Sequence, residues 1–418
     1  MSKSKRATSP SSKTLAIEVD ASGHAPLGMS PQAFLRHYWQ KRPLLIRNAF
    51  PGFVSPIEPG DLAGLACEEA ALSRLISYDR ARDAWSVRSG PFQEDEFPGM
   101  PDHDWTLLVQ DVDKWDADVR ELLEAFQFLP RWRIDDIMVS FAATGGSVGA
   151  HVDQYDVFLL QAHGHRRWQI DASPNPPLGF RDDVELKLLR EFTPSHDWVL
   201  GPGDMLYLPP GVPHHGVAED PCLTFSVGMR APSAAELIGD YLDTLVAEAD
   251  DALRYQDPDL KLPVDPNEID ADAMTRAVSA LNALRMNDPE RLANWFGRFI
   301  TTYRSAGEVA APAEADALNE AAVEQALTGD GTLLHRHPMA RMAWRRRGKR
   351  EATLFVSGQD HPMPIVEASW LASTDAVSGE DFARLSAAGR RAVTELVASG
   401  HYVIGNADED AEDEDEGG

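Results

Sequence analysis

The chain has 418 residues, long enough for two or three domains, and its hydrophobic content of 43% is that of an ordinary globular protein. No run approaches the roughly 20 apolar residues of a membrane span, and Met1-Ser-Lys-Ser-Lys-Arg6 has no apolar stretch behind its charges, so the chain reads as soluble and cytoplasmic. A net charge of −28 weighs against a simple nucleic-acid binder, and only two cysteines, Cys67 and Cys222, argue against a disulfide framework and leave no Cys-x-x-Cys zinc site.

Residues 1–20 are expected to form a disordered N-terminus, rich in Ser, Lys, Arg and Thr. Phe34 to Trp39 then predicts an amphipathic helix halted before Pro43, followed by a short apolar strand ending at Ile46. Trp105 to Val109 reads as a strand, and Val119, Leu122, Leu123 and Phe126 read as one face of a helix. Between Arg133 and Arg230 the apolar runs are short and punctuated by Gly and Pro: 137–141, 156–160, 167–170, 205–208 and 223–227. That pattern predicts a sandwich or jelly roll. Ser233-Ala-Ala-Glu236 is a capping-box start, and Leu237, Ile238, Tyr241, Leu242, Leu245 and Val246 share one face of the helix it opens. Further helices are predicted near 269–285 and 288–303. A Gly-Asp-Gly linker at 329–331 precedes a basic stretch, 336–350, with seven Arg or Lys and no acid. A strand at 352–356, helices near 380–385 and 390–397 and a last strand to Ile404 suit a small winged-helix domain, and eight acidic residues crowd the tail from Asp408 to Glu416. The expected division is therefore 1–20, 21–231, 232–328, 329–405 and 406–418. Acidity outside the tail suits a basic protein partner.

His151-Val-Asp153 places two metal donors on one face of an extended segment, because side chains in a strand alternate. A second strand, Asp204 to Leu208, runs through a Pro-Pro-Gly turn to His214. Two histidines and one carboxylate are the facial ligand set of a non-haem iron(II) oxygenase, which leaves neighbouring metal positions open for a co-substrate and O2. His215, His163 and His165 are rivals for the third position, and His163-Gly-His165 has the spacing of a zinc-binding pair. Arg166 and Arg167 point to opposite faces, so one cation turns inward, where it needs a carboxylate that a dicarboxylate co-substrate would supply. His335 and His337 are assigned to the solvated basic segment.

The segments Tyr38-Trp-Gln-Lys-Arg-Pro-Leu-Leu-Ile46, Trp132-Arg-Ile-Asp-Asp-Ile-Met138, His151-Val-Asp-Gln-Tyr-Asp156, Gly164-His-Arg-Arg-Trp168, Pro209-Pro-Gly-Val-Pro-His214 and Ser226-Val-Gly-Met-Arg-Ala-Pro232 resemble the JmjC-type 2-oxoglutarate oxygenases. Within these, the chain resembles the bacterial ribosomal oxygenases that hydroxylate an arginine of large-subunit ribosomal protein sixteen. The resemblance spans roughly residues 25–405. It implies an α+β chain: a double-stranded β-helix (cupin/JmjC jelly roll), a helical dimerisation segment and a C-terminal winged helix. It implies that His151, Asp153 and His214 bind Fe(II), and that Arg166, with Ser140 as a second contact, binds 2-oxoglutarate. With O2, the implied reaction releases succinate and CO2 as the protein substrate is hydroxylated. Tyr155 and Asp156 are the expected contacts to the substrate arginine. Two alternatives stand beside this reading: hydroxylation of a histidine in another ribosomal protein, and a non-catalytic ribosome- or RNA-binding module using Arg341, Arg345, Arg346, Arg347 and Lys349 of the basic segment.

Overall fold

The computed structural model describes residues 15–24, 26–284, 287–302, 311–312, 318–329 and 331–406. It divides into two compact units, Met1–Ala231 and Pro232–Gly418.

The first unit opens with β1 (Glu18–Asp20), α1 (Pro31–His37) and β2 (Leu44–Arg47). Ser30 caps α1 by accepting the Ala33 amide, and Pro31 sits in its first turn where no donor is missed. After α2 (Pro59–Leu65) come β3 (Ser73–Asp79), β4 (Ala84–Ser89), β5 (Trp105–Val109), α3 (Val112–Trp115), α4 (Ala117–Glu121) and β6 (Ile134–Ala142). The remaining strands are β7 (Val157–His163), β8 (Arg166–Ile170), β9 (His196–Leu200), β10 (Met205–Leu208), β11 (His214–Ala218) and β12 (Cys222–Met229). They form a nine-stranded sheet, β1-β2-β10-β7-β12-β6-β5-β3-β4, and a three-stranded sheet, β11-β8-β9. The two make the double-stranded β-helix.

Alternation along each strand creates two interiors. Phe158 and Leu160 of β7 join Phe34, Phe126 and Tyr207 in the outer core. Val157 and Leu159 point the other way and pack with Trp168, Ile170, Leu200, Leu206 and Leu208 between the sheets. Polar residues that interrupt this second, inward row therefore sit in the barrel.

The second unit holds α5 (Ala234–Ala247), α6 (Ala271–Asn282), α7 (Pro289–Thr301), α8 (Glu320–Ala326), β13 (Thr332–Arg336), β14 (Met342–Arg346), β15 (Glu351–Val356), β16 (Gln359–Pro364), α9 (Ile365–Leu371), β17 (Ala376–Ser378), α10 (Gly379–Arg384), α11 (Ala387–Ala398) and β18 (Tyr402–Asn406). Ser233 and Glu236 form the capping box of α5. Tyr241 and Leu245 of that helix bury against Trp295, Phe299 and Ile300 of α7. Two small sheets, β17-β13-β18 and β14-β15-β16, carry the winged-helix core around Leu334, Leu354, Phe382 and Leu396. No helix among the described residues is long and apolar enough to cross a membrane.

Three expectations need correction. The segment expected to be disordered to residue 20 already contains β1, because Glu18 to Asp20 complete a parallel ladder on Leu45 to Arg47; residues 1–14 lie outside the described residues. The basic stretch is a solvated run only from Arg346 to Arg350. Its Met342, Ala343 and Trp344 are half-buried in β14, and Arg345 pairs with Glu290 at 2.9 Å. His335 and His337 are half-buried as well, with the His335 Nε2 enclosed and without a partner. The acidic tail, from residue 407 on, is outside the described residues.

Candidate active site

His151 lies just before β7 and His214 opens β11, yet their backbones form an isolated antiparallel bridge with both N–H···O distances at 3.0 Å. That bridge fixes the two rings side by side, 4.2 Å between centroids. Each Nδ1 is engaged by a carbonyl two residues back, His151 by Gly149 at 2.9 Å and His214 by Val212 at 3.0 Å. An Nδ1–H that donates there leaves Nε2 with its lone pair free. Both Nε2 atoms face Asp153, at 3.9 Å from Oδ1 for His151 and 3.5 Å from Oδ2 for His214. The donor atoms of the three residues lie within 4.8 Å of one another, and this is the one such group among the described residues. Burial and the neighbouring His151 hold His214 well below the usual imidazole range, so it stays in the neutral, ligating form. The set fits a divalent metal: oriented imidazole nitrogens and a carboxylate converge from one side.

The rival histidines do not join. His215 turns to the opposite face of β11 and packs edge-on against Phe192. His163 is exposed, and His165 bonds Asp220 through Nδ1 at 2.8 Å.

Arg166 and Arg167 separate as alternation requires. Arg167 is half-exposed and paired with Asp197 and Glu219. Arg166 is 3% exposed and has no carboxylate partner among the described residues. Its contacts are long: Nη1 to Ser140 Oγ at 3.3 Å and to Thr224 Oγ1 at 3.5 Å, and Nη2 to the Gly216 carbonyl at 3.5 Å. Its Nε has no hydrogen-bond partner among the described residues. Burial pulls the guanidinium below the usual arginine range. Gly216 makes room for it, since a Cβ there would stand 2.7 Å from the Trp168 ring and 2.8 Å from Arg166 Nε. A buried, unpaired cation beside two hydroxyls is a receptor for an anion.

Ser140 and Thr224 face each other across β6 and β12, and the next inward pair is Met138 with Ser226. One step further on β6 stands Asp136, which sequence reading passed over. Burial and the charges of Asp111, Asp135 and Asp113 push its carboxyl up to about 7. Tyr155 has a half-exposed ring, and its phenol lies close enough to the Asp153 and Asp136 carboxylates to feel both charges. Asp156 is a correction. It is fully buried and already accepts from Tyr207 at 2.7 Å, Gln40 at 2.9 Å and Arg133 at 3.4 Å, so it ties the segment after α1 and strand β10 to the start of β7, and its burial closes it to a ligand. The clue available in the sequence was the doublet Asp135-Asp136 on a strand whose alternate residues must enter the barrel.

Comparison with known proteins agrees with this geometry. The JmjC domain family matches residues 121–237, a ROXA-like winged helix matches 283–403, and an AraC-like ligand-binding domain matches 194–322. The ribosomal protein uL16 3-hydroxylase of Escherichia coli is 39% identical over 289 residues, covering 67% of this chain and 73% of that protein. The crystal structure of E. coli YcfD superposes with a TM-score of 0.79 at 33% identity, over 91% of this chain and 99% of that one. YcfD in complex with cobalt and 2-oxoglutarate superposes at 0.76 and 32% identity, over 90% and 99%. With likeness of this extent spanning both units, the chain belongs to the JmjC-type ribosomal oxygenases.

Proposed function

We propose that this chain is an Fe(II)- and 2-oxoglutarate-dependent hydroxylase of an arginine side chain in a large-subunit ribosomal protein, the counterpart of uL16. His151, Asp153 and His214 hold the iron, and Arg166 with Ser140 holds the far carboxylate of 2-oxoglutarate. The observation that carries the reading is the enclosed Arg166 guanidinium without an acid partner, in the same barrel as a three-donor metal cluster. When bound, the metal and 2-oxoglutarate supply the oxidising power, one atom of O2 entering the substrate C–H bond and the other entering succinate as CO2 leaves.

The protein's own part is placement. The His151–His214 bridge sets the metal-facing edges, and the inward row of β6 aligns the co-substrate contact with a substrate contact. Asp136 and the Tyr155 ring receive the substrate arginine, the carboxylate by charge and the ring by stacking. The assembly is a homodimer. Ile238, Leu242 and Val246 form an exposed apolar stripe on α5, and Met274, Val278 and Leu281 form another on α6. The β14–β15 hairpin presents exposed Arg346, Arg347, Lys349 and Arg350, which carry no ion pair among the described residues, and this hairpin touches ribosomal RNA. The working compartment is the cytoplasm.

The test is intact-mass spectrometry of ribosomal proteins from unmodified ribosomes incubated with the enzyme, Fe(II), 2-oxoglutarate and O2, with His151→Ala as control. One added oxygen on the uL16 counterpart, mapped to arginine and absent in the control, is the expected result. Oxygen on a histidine of another protein would replace the substrate assignment, and no turnover of 2-oxoglutarate with iron bound would leave the RNA-binding module as the better reading.

A further inference from the structure

We infer that Gln161 is a positioning residue for the co-substrate, acting through Thr224 and through the turn ahead of Arg166. This rests on the assignment of Arg166 above. Gln161 is the third residue of the inward row of β7, after Val157 and Leu159, and it is fully buried. An amide in that place is costly unless all its hydrogen bonds are made. Its Oε1 accepts the Thr224 hydroxyl at 3.1 Å. Its Nε2 donates to the His163 carbonyl at 2.9 Å and to the Gly164 carbonyl at 3.4 Å.

Each bond bears on Arg166. A threonine hydroxyl has one proton, and Gln161 takes it. The oxygen is then left as an acceptor toward Arg166 Nη1, 3.5 Å away. Without Gln161 the hydroxyl proton is free to swing toward the guanidinium and repel it. The two carbonyls belong to the tight turn between β7 and β8, in which Gly164 has φ +61° and a Cβ would stand 2.3 Å from the Pro221 carbonyl. Arg166 is the first residue of β8 after that turn. Apart from the Trp168 ring, 5.0 Å from its Cζ, the guanidinium has only hydrogen bonds of 3.3 Å or longer, so its aim also depends on what holds Thr224 and the turn.

The experiment compares Gln161→Met, Thr224→Val, Thr224→Ser and the Gln161→Met/Thr224→Val double variant with the wild type and Arg166→Met. Succinate formation gives kcat and KM for 2-oxoglutarate, and titration calorimetry with Mn(II) in place of Fe(II) gives co-substrate affinity. Expected for Gln161→Met is a KM for 2-oxoglutarate raised on the order of tenfold, the size of one misplaced hydrogen bond, with kcat within about threefold. Thr224→Ser should behave as wild type, Thr224→Val as Gln161→Met, and the double variant should be worse than neither single by more than about twofold. A Gln161→Met protein with wild-type 2-oxoglutarate affinity, a fall in kcat at constant KM, or fully additive losses would overturn the inference. If Gln161→Met does not fold, the Thr224 pair decides: a Thr224→Val variant with unchanged KM overturns it. Arg166→Met separates the two levels. Loss of binding there with Gln161→Met unaffected sinks the inference alone, whereas intact binding in Arg166→Met sinks the assignment and the inference together.

Discussion

Replacing Arg166 with methionine should remove activity and stabilise the empty protein, two effects of opposite sign from one side chain. In the bound state a bidentate guanidinium–carboxylate pair makes two charge-assisted hydrogen bonds, worth about 1.5–3 kcal/mol each. Losing about 3–6 kcal/mol at about 1.4 kcal/mol per tenfold weakens 2-oxoglutarate by roughly 10²- to 10⁴-fold. In the empty state the same guanidinium is enclosed with no acid partner, an unpartnered Nε and contacts no shorter than 3.3 Å. Such a cation carries an effective desolvation penalty of several kcal/mol, and methionine fills the space of its stem without charge. Recovering even 1–2 kcal/mol raises the melting temperature by about 2–4 °C per kcal/mol in a domain of this size. The assay is a pair of thermal melts with Mn(II), with and without 2-oxoglutarate, beside calorimetric titration of 2-oxoglutarate. Wild type should melt higher with the co-substrate, and Arg166→Met should start higher and gain nothing. A variant that melts several degrees lower yet binds 2-oxoglutarate as before would make Arg166 a structural group and refute the reasoning.

Gly216→Ala should lower activity more than stability, because the new methyl meets the Trp168 ring and Arg166 Nε at 2.7–2.8 Å and must displace one of them, at about 1–3 kcal/mol of strain; kinetics beside a denaturant melt would show it, and a fully active variant would contradict it. Asp136, with its carboxyl near 7, should give kcat/KM for the protein substrate an ascending limb through about pH 7 that Asp136→Asn abolishes. Its folded pKa lies above the ordinary 3.8, so it holds its proton more tightly in the fold and erodes stability as pH rises between those values; Asp136→Asn should therefore melt higher at pH 8. In the winged-helix unit, His337, His361 and His401 are depressed below 6.5, chiefly by burial, with the other two histidines adding to the shift on His401 and Glu395 and Asp360 opposing it on His361. Unfolding releases these groups to take up protons, so the unit's stability should fall as pH drops below about 6.5, measurable as earlier melting at pH 5.5 than at pH 8. Ile238→Glu with Val246→Glu should convert a dimer to monomer in sedimentation, while a monomeric wild type would remove the dimer from the reading.

The metal triplet was legible because its signal is local: an H-x-D pair on an extended segment, and a histidine delivered by a rigid turn. The inward arginine was legible for the same reason, since alternation alone separates Arg166 from Arg167. Carboxylate roles were not. Asp156 stands beside the metal motif and looked free, but its partners come from Gln40 and Tyr207, 116 and 51 residues away in the chain. Asp136 was not singled out: alternation along β6 sets it in one row with Met138 and Ser140, but that this row faces inward follows only once Ser140 and Met138 are paired with Thr224 and Ser226 of β12. Strands β4 and β9 escaped because an edge strand such as Ala-Trp-Ser-Val-Arg-Ser needs few apolar residues. The basic run of β14 misled for a related reason, its half-buried Met342, Ala343 and Trp344 being outnumbered by the arginines that follow.

The polar residues of the barrel interior are sorted by charge along the strands. Arg166 and Ser140 stand together at one end of the inward rows. Four residues further along β6 is Asp136, about 13 Å away at strand rise, and four residues further along the β8–β11 ladder, opposite Ile170, is His214. An unpaired cation at one end and an under-ionised acid at the other are each incomplete until a ligand of opposite charge arrives. A dicarboxylate therefore gains only at the arginine end and a guanidinium only at the aspartate end, and each is repelled from the other's place. Because both ends are strained when empty, ligand binding should stabilise the catalytic unit by more than contact area alone suggests. The three converging donors His151, Asp153 and His214 lie at the aspartate end, where the proposed assignment would bring the co-substrate's reactive end and the substrate's side chain together.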